Sequence, residues 1–245
     1  MRPTVSTLIA DAWSLWRADR DILTRIGSVF MLLSALAVAL LLEPQLAHAL
    51  DLLPADDQNG RFIVFVNWMS ANAAWLLLVQ IVANFGALTI IVLYLDRNRP
   101  DLRAALRSAL GWLPLYFVAI VCVSLLSALG IAAFVIGYFF VLARLSLVGP
   151  VMIAERQSNP FAAIARSFAL TRGYTFTLTG TFMIVLLGGY LAQSPLDAID
   201  TWLTVNAPNP IARAIVDIAG STVSALAAIA LALAQVAAWR RLSSR

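Results

Sequence analysis

The sequence predicts an all-α integral membrane protein with about six transmembrane helices, and three observations carry this prediction. The 245 residues are 61% hydrophobic and 12% charged, with a mean hydropathy of +0.86, whereas soluble domains are roughly half apolar and a quarter charged. Six apolar windows approach the length that crosses a bilayer. Arginines are abundant in alternate segments between these windows, which indicates that both termini lie in the cytoplasm.

The predicted spans follow from the apolar windows in chain order. They cover residues 26–42, 71–95, 113–129, 131–153, 176–191 and 215–239. The third and fourth windows form one run that is too long for a single crossing. Gly130 is therefore the expected turn between them.

The placement of arginine predicts the orientation. The chain has no lysine, and 15 of its 17 arginines fall on the side of the N-terminus, leaving Arg61 and Arg213 on the other side. Because positive residues concentrate in cytoplasmic segments, and the alanine-rich, lysine-free composition suggests a bacterial genome, we expect a multi-pass protein of a bacterial inner membrane. The pI of about 9.8 favours anionic membrane lipids as partners and not nucleic acid, since no soluble basic domain is present.

Amphipathic segments precede pairs of spans on the cytoplasmic side. Residues 1–25 are predicted to form an N-terminal interfacial helix, followed by a six-span membrane domain over residues 26–245. Two further elbow helices are expected near 101–111 and 160–172. Helices with one apolar and one basic face lie in the interfacial layer of a membrane. The pattern predicts three units, each an elbow helix followed by a hairpin of spans.

Two amide side chains lie inside a predicted span. Gln80 and Asn84 are four residues apart, so they share one face of a helix. An unpaired amide in hydrocarbon costs several kcal/mol, so both need partners. Hydrogen bonding between helices is one explanation. The alternative is a pathway through a transporter or channel for a small solute or lipid, which predicts a polar cavity that reaches the bilayer midplane.

Residues typical of catalysis are scarce. The single histidine, His48, lies in a predicted outer loop without a second metal ligand, and Cys122 lies in an apolar run. The sequence therefore predicts no cofactor, no metal site and no catalytic residue. A membrane-embedded lipid enzyme would need Glu155 as its general acid or base, and no nucleophile accompanies it in the sequence.

A guanidinium inside apolar sequence marks the candidate site. Arg144 falls about 10 Å short of the inner edge of the fourth predicted span, from which its side chain can reach the interface or pair within the bundle. With Glu155, Arg166 and Arg172 it is expected to converge on the cytoplasmic rim. Two interpretations stay open: an ionic clamp, in which loss of Glu155 costs a few kcal/mol, or a site for a lipid phosphate.

The residues around this rim have recognisable conformational roles. Pro150 is expected to kink the fourth span, and Asn159 and Pro160 are expected to begin the third elbow helix. Gly173 suits the left-handed position that ends a helix.

These residues also carry a family resemblance over about thirty positions. The motif comprises Arg144, Pro150, Glu155, Pro160, Ala163, Arg166-Ser167 and Leu170-Thr171-x-Gly173. It resembles the signature of the glycerophosphoryl diester phosphodiesterase membrane-domain family and its stand-alone, YciC-type bacterial relatives. The resemblance implies a multi-span inner-membrane module. It does not imply phosphodiesterase activity, because the acids and histidines of that catalysis are missing from this sequence.

The sequence as a whole favours a non-enzymatic protein of the inner membrane, with a role in envelope homeostasis. Its expected contacts are anionic lipids, a membrane-protein partner or a second copy of the chain.

Overall fold

All regular secondary structure that the structure describes is helical. The computed structural model describes residues 3–54, 56–98, 100–132, 135–206 and 209–243. Within these ranges five helical stretches are long and apolar enough to cross a membrane: Val5–Asp51, Ala73–Leu95, Leu102–Ser127, Thr175–Thr204 and Pro210–Ser243. The all-α prediction is confirmed, and the apolar stretches support a membrane location.

The first stretch is one helical path with a kink. Helix α1 (Val5–Ile26) begins at Thr4, whose hydroxyl accepts a hydrogen bond from the Thr7 amide. Asp19 has φ −126° and ψ 27°, so the amphipathic segment turns there. The helical path continues without a break from α1 into the residues that follow. The following elements are a π-helix (Gly27–Leu32), α2 (Leu33–Ala37), a second π-helix (Val38–Leu42) and α3 (Glu43–Asp51).

The segment expected to be an outer loop is mostly helical. It contains α3 and α4 (Gln58–Ala71), and α4 buries none of its residues. Asn72 separates α4 from α5 (Ala73–Leu95), which matches the second predicted span closely.

The predicted second elbow is not a separate helix. Residues 102–111 are the first turns of α6 (Leu102–Ala132), a helix of 31 residues that contains Pro114. A proline removes one backbone hydrogen bond but does not by itself end a helix that neighbouring helices support. The turn expected at Gly130 is also absent, because α6 continues to Ala132; residues 133 and 134 lie outside the described residues.

The fourth predicted span is a broken helix. It consists of α7 (Val135–Leu145) and α8 (Val148–Ala154), with a turn at Ser146 and Leu147. All seven residues of α8 are buried, against α5, α6, α9 (Pro160–Leu170) and α11 (Pro210–Ser243). Non-helical backbone at membrane depth is tolerated where protein covers it, which explains why the break occurs here.

The last two helices are longer than the predicted spans. Helix α10 (Thr175–Asn206) has 32 residues and α11 has 34, and the two pack against each other. Their extra turns lie beyond the apolar windows of the sequence.

Long-range polar contacts place both ends of the chain on one side. Arg241 Nη2 donates a hydrogen bond of 2.9 Å to Asp11 Oδ1. The Tyr94 hydroxyl donates one of 2.8 Å to Asp19. We call this side, marked by Asp11, Asp19, Tyr94 and Arg241, the basic end. Three of the 15 arginines that were predicted to lie on the side of the N-terminus are outside the described residues: Arg2, Arg99 and Arg245.

Candidate functional site

Arg144 holds the carbonyl end of α9. It lies in the last turn of α7, and its Nη1 donates hydrogen bonds to the Phe168 carbonyl oxygen at 2.8 Å and to the Thr171 hydroxyl at 3.5 Å. Its guanidinium carbon lies 5.5 Å from the ring centre of Phe140 and 5.6 Å from that of Phe168. The last carbonyls of a helix lack internal partners and attract cations. Arg144 therefore has a structural role in its apolar surroundings: it supplies the hydrogen-bond donor that the carbonyl end of α9 needs.

Ser167 returns the contact from α9 to α7. Its side chain is fully buried, and its hydroxyl donates a hydrogen bond of 2.6 Å to the Arg144 carbonyl oxygen. The Thr171 hydroxyl in turn donates to the Ser167 carbonyl oxygen at 2.8 Å. Arg144, Ser167, Phe168 and Thr171 thus form one bonded unit, which we call the α7–α9 lock. Within it, Arg144 Nε is buried and has no hydrogen-bond partner among the described residues.

Glu155 pairs with Arg166 and not with Arg144. Arg166 Nε lies 3.1 Å from both carboxylate oxygens, and the side chains are 49% exposed for Arg166 and 31% exposed for Glu155. The Arg172 side chain is exposed and makes no hydrogen bond or ion pair in the described part of the chain. The four predicted rim residues therefore form two separate contacts and one free cation, and they do not form a single ionic cluster.

The ion pair between Arg156 and Asp96 was not predicted from the sequence. Arg156, two residues after the end of α8, lies 3.8 Å from Asp96, which directly follows α5. Arg156 has a φ of 54°, in the left-handed region, and the Gln157 amide donates to the Met152 carbonyl oxygen at 3.0 Å. This is the geometry of a helix end that usually carries glycine. The sequence offered one indication of this strained turn, since no glycine follows the end of α8 to take the left-handed position.

The start and end of α9 follow from three residues. Asn159 Oδ1 accepts hydrogen bonds from the Phe161 and Ala162 amides, at 3.0 and 3.4 Å. Pro160 is the first helical residue, where its missing N–H costs nothing. Gly173 has a φ of 86° and reverses the chain into α10.

Pro150 does not kink a continuous helix. It lies in the first turn of α8, which tolerates proline, and the break precedes it at Ser146 and Leu147. Gly149 has the sharper role, because a Cβ there would lie 3.0 Å from Tyr116 Cε2 and 3.1 Å from Ile91 Cδ1. Glycine therefore permits α8 to approach α5 and α6 closely.

Gln80 faces a cleft that opens away from the basic end. The cleft has a volume of about 510 Å³ and reaches Ala83 and Ala228, near the middle of α5 and α11. Its polar lining residues are Ser34, Glu43, Gln80, Gln193, Asp197, Asp200, Asp217, Ser221, Ser224 and Thr201. We call it the acidic cleft. Its carboxylates lie far along the chain from the arginines of the basic end.

Asn84 faces a different space, although it lies one turn from Gln80. It lines a cavity of about 190 Å³ between α5, α6, α7, α8, α10 and α11, which we call the central cavity. Its Nδ2 is buried without a hydrogen-bond partner among the described residues. The two amides therefore neither bond to each other nor share one pathway.

Comparisons with known proteins assign no family. No protein-family model, no curated protein and no solved structure matches the chain. The resemblance carried by the Arg144 to Gly173 motif therefore stays a prediction. Among the described residues, no three histidine, cysteine or acidic side chains are grouped so as to hold a metal ion.

Proposed function

We propose that the chain is a non-enzymatic, six-span protein of a bacterial inner membrane whose basic end contacts anionic lipid headgroups. The observation that carries the proposal is the exposed face of α9 and the turn after it. Phe161 is 69% exposed and Phe168 is 37% exposed, and the exposed Arg172 lies in the turn that follows α9. Aromatic side chains beside free arginines suit the boundary between acyl chains and phosphates.

The α7–α9 lock supports this function because it fixes the orientation of that face. Arg144 and Arg166 already have partners within the chain, so they are not the expected phosphate ligands. Arg172 is exposed, and so are Arg103 and Arg107 at the start of α6. Their planar guanidinium groups can hold a phosphate with two parallel hydrogen bonds.

The motif also supports membership of the glycerophosphoryl diester phosphodiesterase membrane-domain family as part of the proposal. Its residues are linked by direct contacts: Ser167 bonds to Arg144, and Arg166 to Glu155. Residues that form one structural unit are constrained together, which is how a sequence motif arises.

Sidedness tests the topology. In a Cys122→Ala background, single cysteines replace Asp56, between α3 and α4, and Arg103, at the start of α6. Both positions are exposed. We expect a membrane-impermeant maleimide to label the first in spheroplasts, and the second only after permeabilisation. The reverse pattern would overturn both the orientation and a cytoplasmic basic end.

Lipid retention tests the function. Native mass spectrometry of the detergent-purified protein should show co-purified phosphatidylglycerol or cardiolipin, reduced in Arg172→Gln and further reduced when Arg103→Gln is added. Arg61→Gln, an identical charge change outside the basic end, is the control and should retain wild-type lipid. Equal anionic lipid in all variants would contradict the proposal. Loss of a co-purifying protein or of a dimer, with lipid unchanged, would assign the face to a protein partner.

A transporter or channel is the second candidate, favoured by the acidic cleft that descends to Gln80. Its carboxylates favour a small cation. Uptake of methylammonium into proteoliposomes should then exceed that of protein-free vesicles, and Asp217→Asn and Gln80→Leu should slow it. Equal uptake with and without protein would remove this candidate and leave the lipid function untouched.

A further inference from the structure

The central cavity is formed where the broken helix meets the rest of the bundle. Ser146, at the break between α7 and α8, lines it together with Asn84 of α5, Tyr116 of α6 and Gln235 of α11. Phe182 of α10 contributes an apolar wall. Five separate parts of the chain thus surround a volume of about 190 Å³.

The polar groups in this cavity have unused hydrogen-bonding capacity. Tyr116 is only 8% exposed, and its hydroxyl makes no hydrogen bond among the described residues. Asn84 Nδ2 is buried and also unpaired. The side chain of Gln235 is partly buried, lines the cavity and likewise makes no hydrogen bond in the described part of the chain. Buried polar groups almost always have partners, so the unpaired Asn84 amide and Tyr116 hydroxyl beside the partly buried Gln235 indicate that something occupies this space.

The lining defines the chemistry of that occupant. Among the described residues no charged side chain lines the cavity, and its remaining walls are aliphatic or aromatic. An ion would lose its hydration there without gaining a counter-charge, which is strongly unfavourable. Two amides and a phenol offer both donors and acceptors, and apolar walls suit a short carbon skeleton.

The geometry points to a binding site for a small uncharged molecule that carries both hydrogen-bond donors and acceptors, such as a simple amide or a short alcohol. Asn84, Tyr116 and Gln235 hold its polar atoms, and Phe182 covers its apolar side. The site is independent of the lipid contact, because none of its lining residues belongs to the exposed face of α9. It is also separate from the acidic cleft, with which it shares no lining residue.

Isosteric probes test this assignment. Saturation-transfer difference NMR on the full chain in detergent compares acetamide with acetate, and urea with guanidinium. Each pair has nearly the same shape and differs in charge. We expect millimolar binding of the neutral member of each pair and none of the charged member, with empty micelles as the blank. Equal signals from neutral and charged probes, or no signal above the blank, would overturn the assignment.

Variants locate the binding. Tyr116→Phe removes one hydroxyl and keeps the ring, so acetamide should bind roughly three- to tenfold more weakly, as expected for one lost hydrogen bond. Its melting temperature should not fall, because that hydroxyl has no partner among the residues that the structure describes. Gln235→Met is the second variant, with the same expected loss, and Tyr190→Phe, at a tyrosine that is 68% exposed, is the control. Unchanged acetamide affinity in both cavity variants would overturn the proposal.

Discussion

Arg144 Nη1 donates a hydrogen bond of 2.8 Å to the carbonyl oxygen of Phe168, and Ser167 donates one of 2.6 Å back to the carbonyl oxygen of Arg144. The two bonds run in opposite directions between α7 and α9, so each helix supplies both a donor and an acceptor. The charged Arg144 side chain therefore supplies a hydrogen-bond donor to the carbonyl end of α9, and its function is to position this elbow helix.

The first prediction concerns this lock. Arg144→Ala should lower the free energy of unfolding by about 1.5–3 kcal/mol, the usual range for a hydrogen bond from a charged group. Arg144→Lys should recover only part of that loss, since an ammonium keeps the charge but cannot stack between two phenyl rings as a planar guanidinium does. Melting curves in detergent measure both. Arg172→Ala is the control, and an equal loss there would contradict the role of Arg144.

The second prediction separates Glu155 from Arg144. Because the Glu155–Arg166 pair is partly exposed, Glu155→Gln should cost no more than about 1 kcal/mol, well below the few kcal/mol expected for a buried cluster. In a double-mutant cycle, Arg144→Ala and Glu155→Gln should add to within about 0.5 kcal/mol. Arg166→Gln and Glu155→Gln should not add. A large coupling between Arg144 and Glu155 would restore the single-cluster interpretation.

The sequence predicted the helices well because their apolar windows are long. A long apolar segment identifies a helix more clearly than a short local pattern does. It located the cap at Asn159 and the left-handed Gly173, which depend on one residue and its neighbours. It did not predict that α6 would be continuous or that the fourth span would break at Ser146 and Leu147. Those outcomes depend on which helices pack together, and local spacing carries no information on that.

The pairing of charges shows the same division. The sequence placed Arg144, Glu155 and Arg166 near one rim, but partner choice depends on helix rotation and on free carbonyl groups that composition does not reveal. Arg144 therefore donates a hydrogen bond to a backbone oxygen, and Arg156 forms an ion pair with Asp96, which follows α5. Tyr116 and Gln235, which line the central cavity, were not singled out, because neither has a distinctive sequence neighbour.

The third prediction concerns Gly149. A methyl group there would press on Tyr116 and Ile91 at 3.0 and 3.1 Å, so Gly149→Ala should destabilise the protein by about 1–3 kcal/mol. Gly188→Ala is the matched control, since a Cβ at Gly188 would meet nothing within 4 Å. That control should keep or slightly raise the melting temperature because alanine favours helix. Equal tolerance of both substitutions would show that α8 does not approach Tyr116 so closely.

The fourth prediction uses the left-handed conformation of Arg156. For a residue with a side chain, this conformation costs about 1–2 kcal/mol, and glycine adopts it freely. The ion pair with Asp96 offsets little of this conformational cost, because the Arg156 side chain is 57% exposed and its charge is screened by solvent. Asp96 Oδ1 also keeps the Asn98 amide as a donor when the arginine is removed.

Arg156→Gly should therefore raise the melting temperature, whereas Arg156→Ala should lower it slightly, because alanine loses the ion pair and retains the strain. Both variants remove the same charge and the same contact with Asp96, so the difference between them isolates the backbone. We expect that difference to be about 1 kcal/mol in favour of glycine. If alanine and glycine were equally stable, the turn from α8 into α9 would have to follow a different backbone path, without a left-handed residue at Arg156.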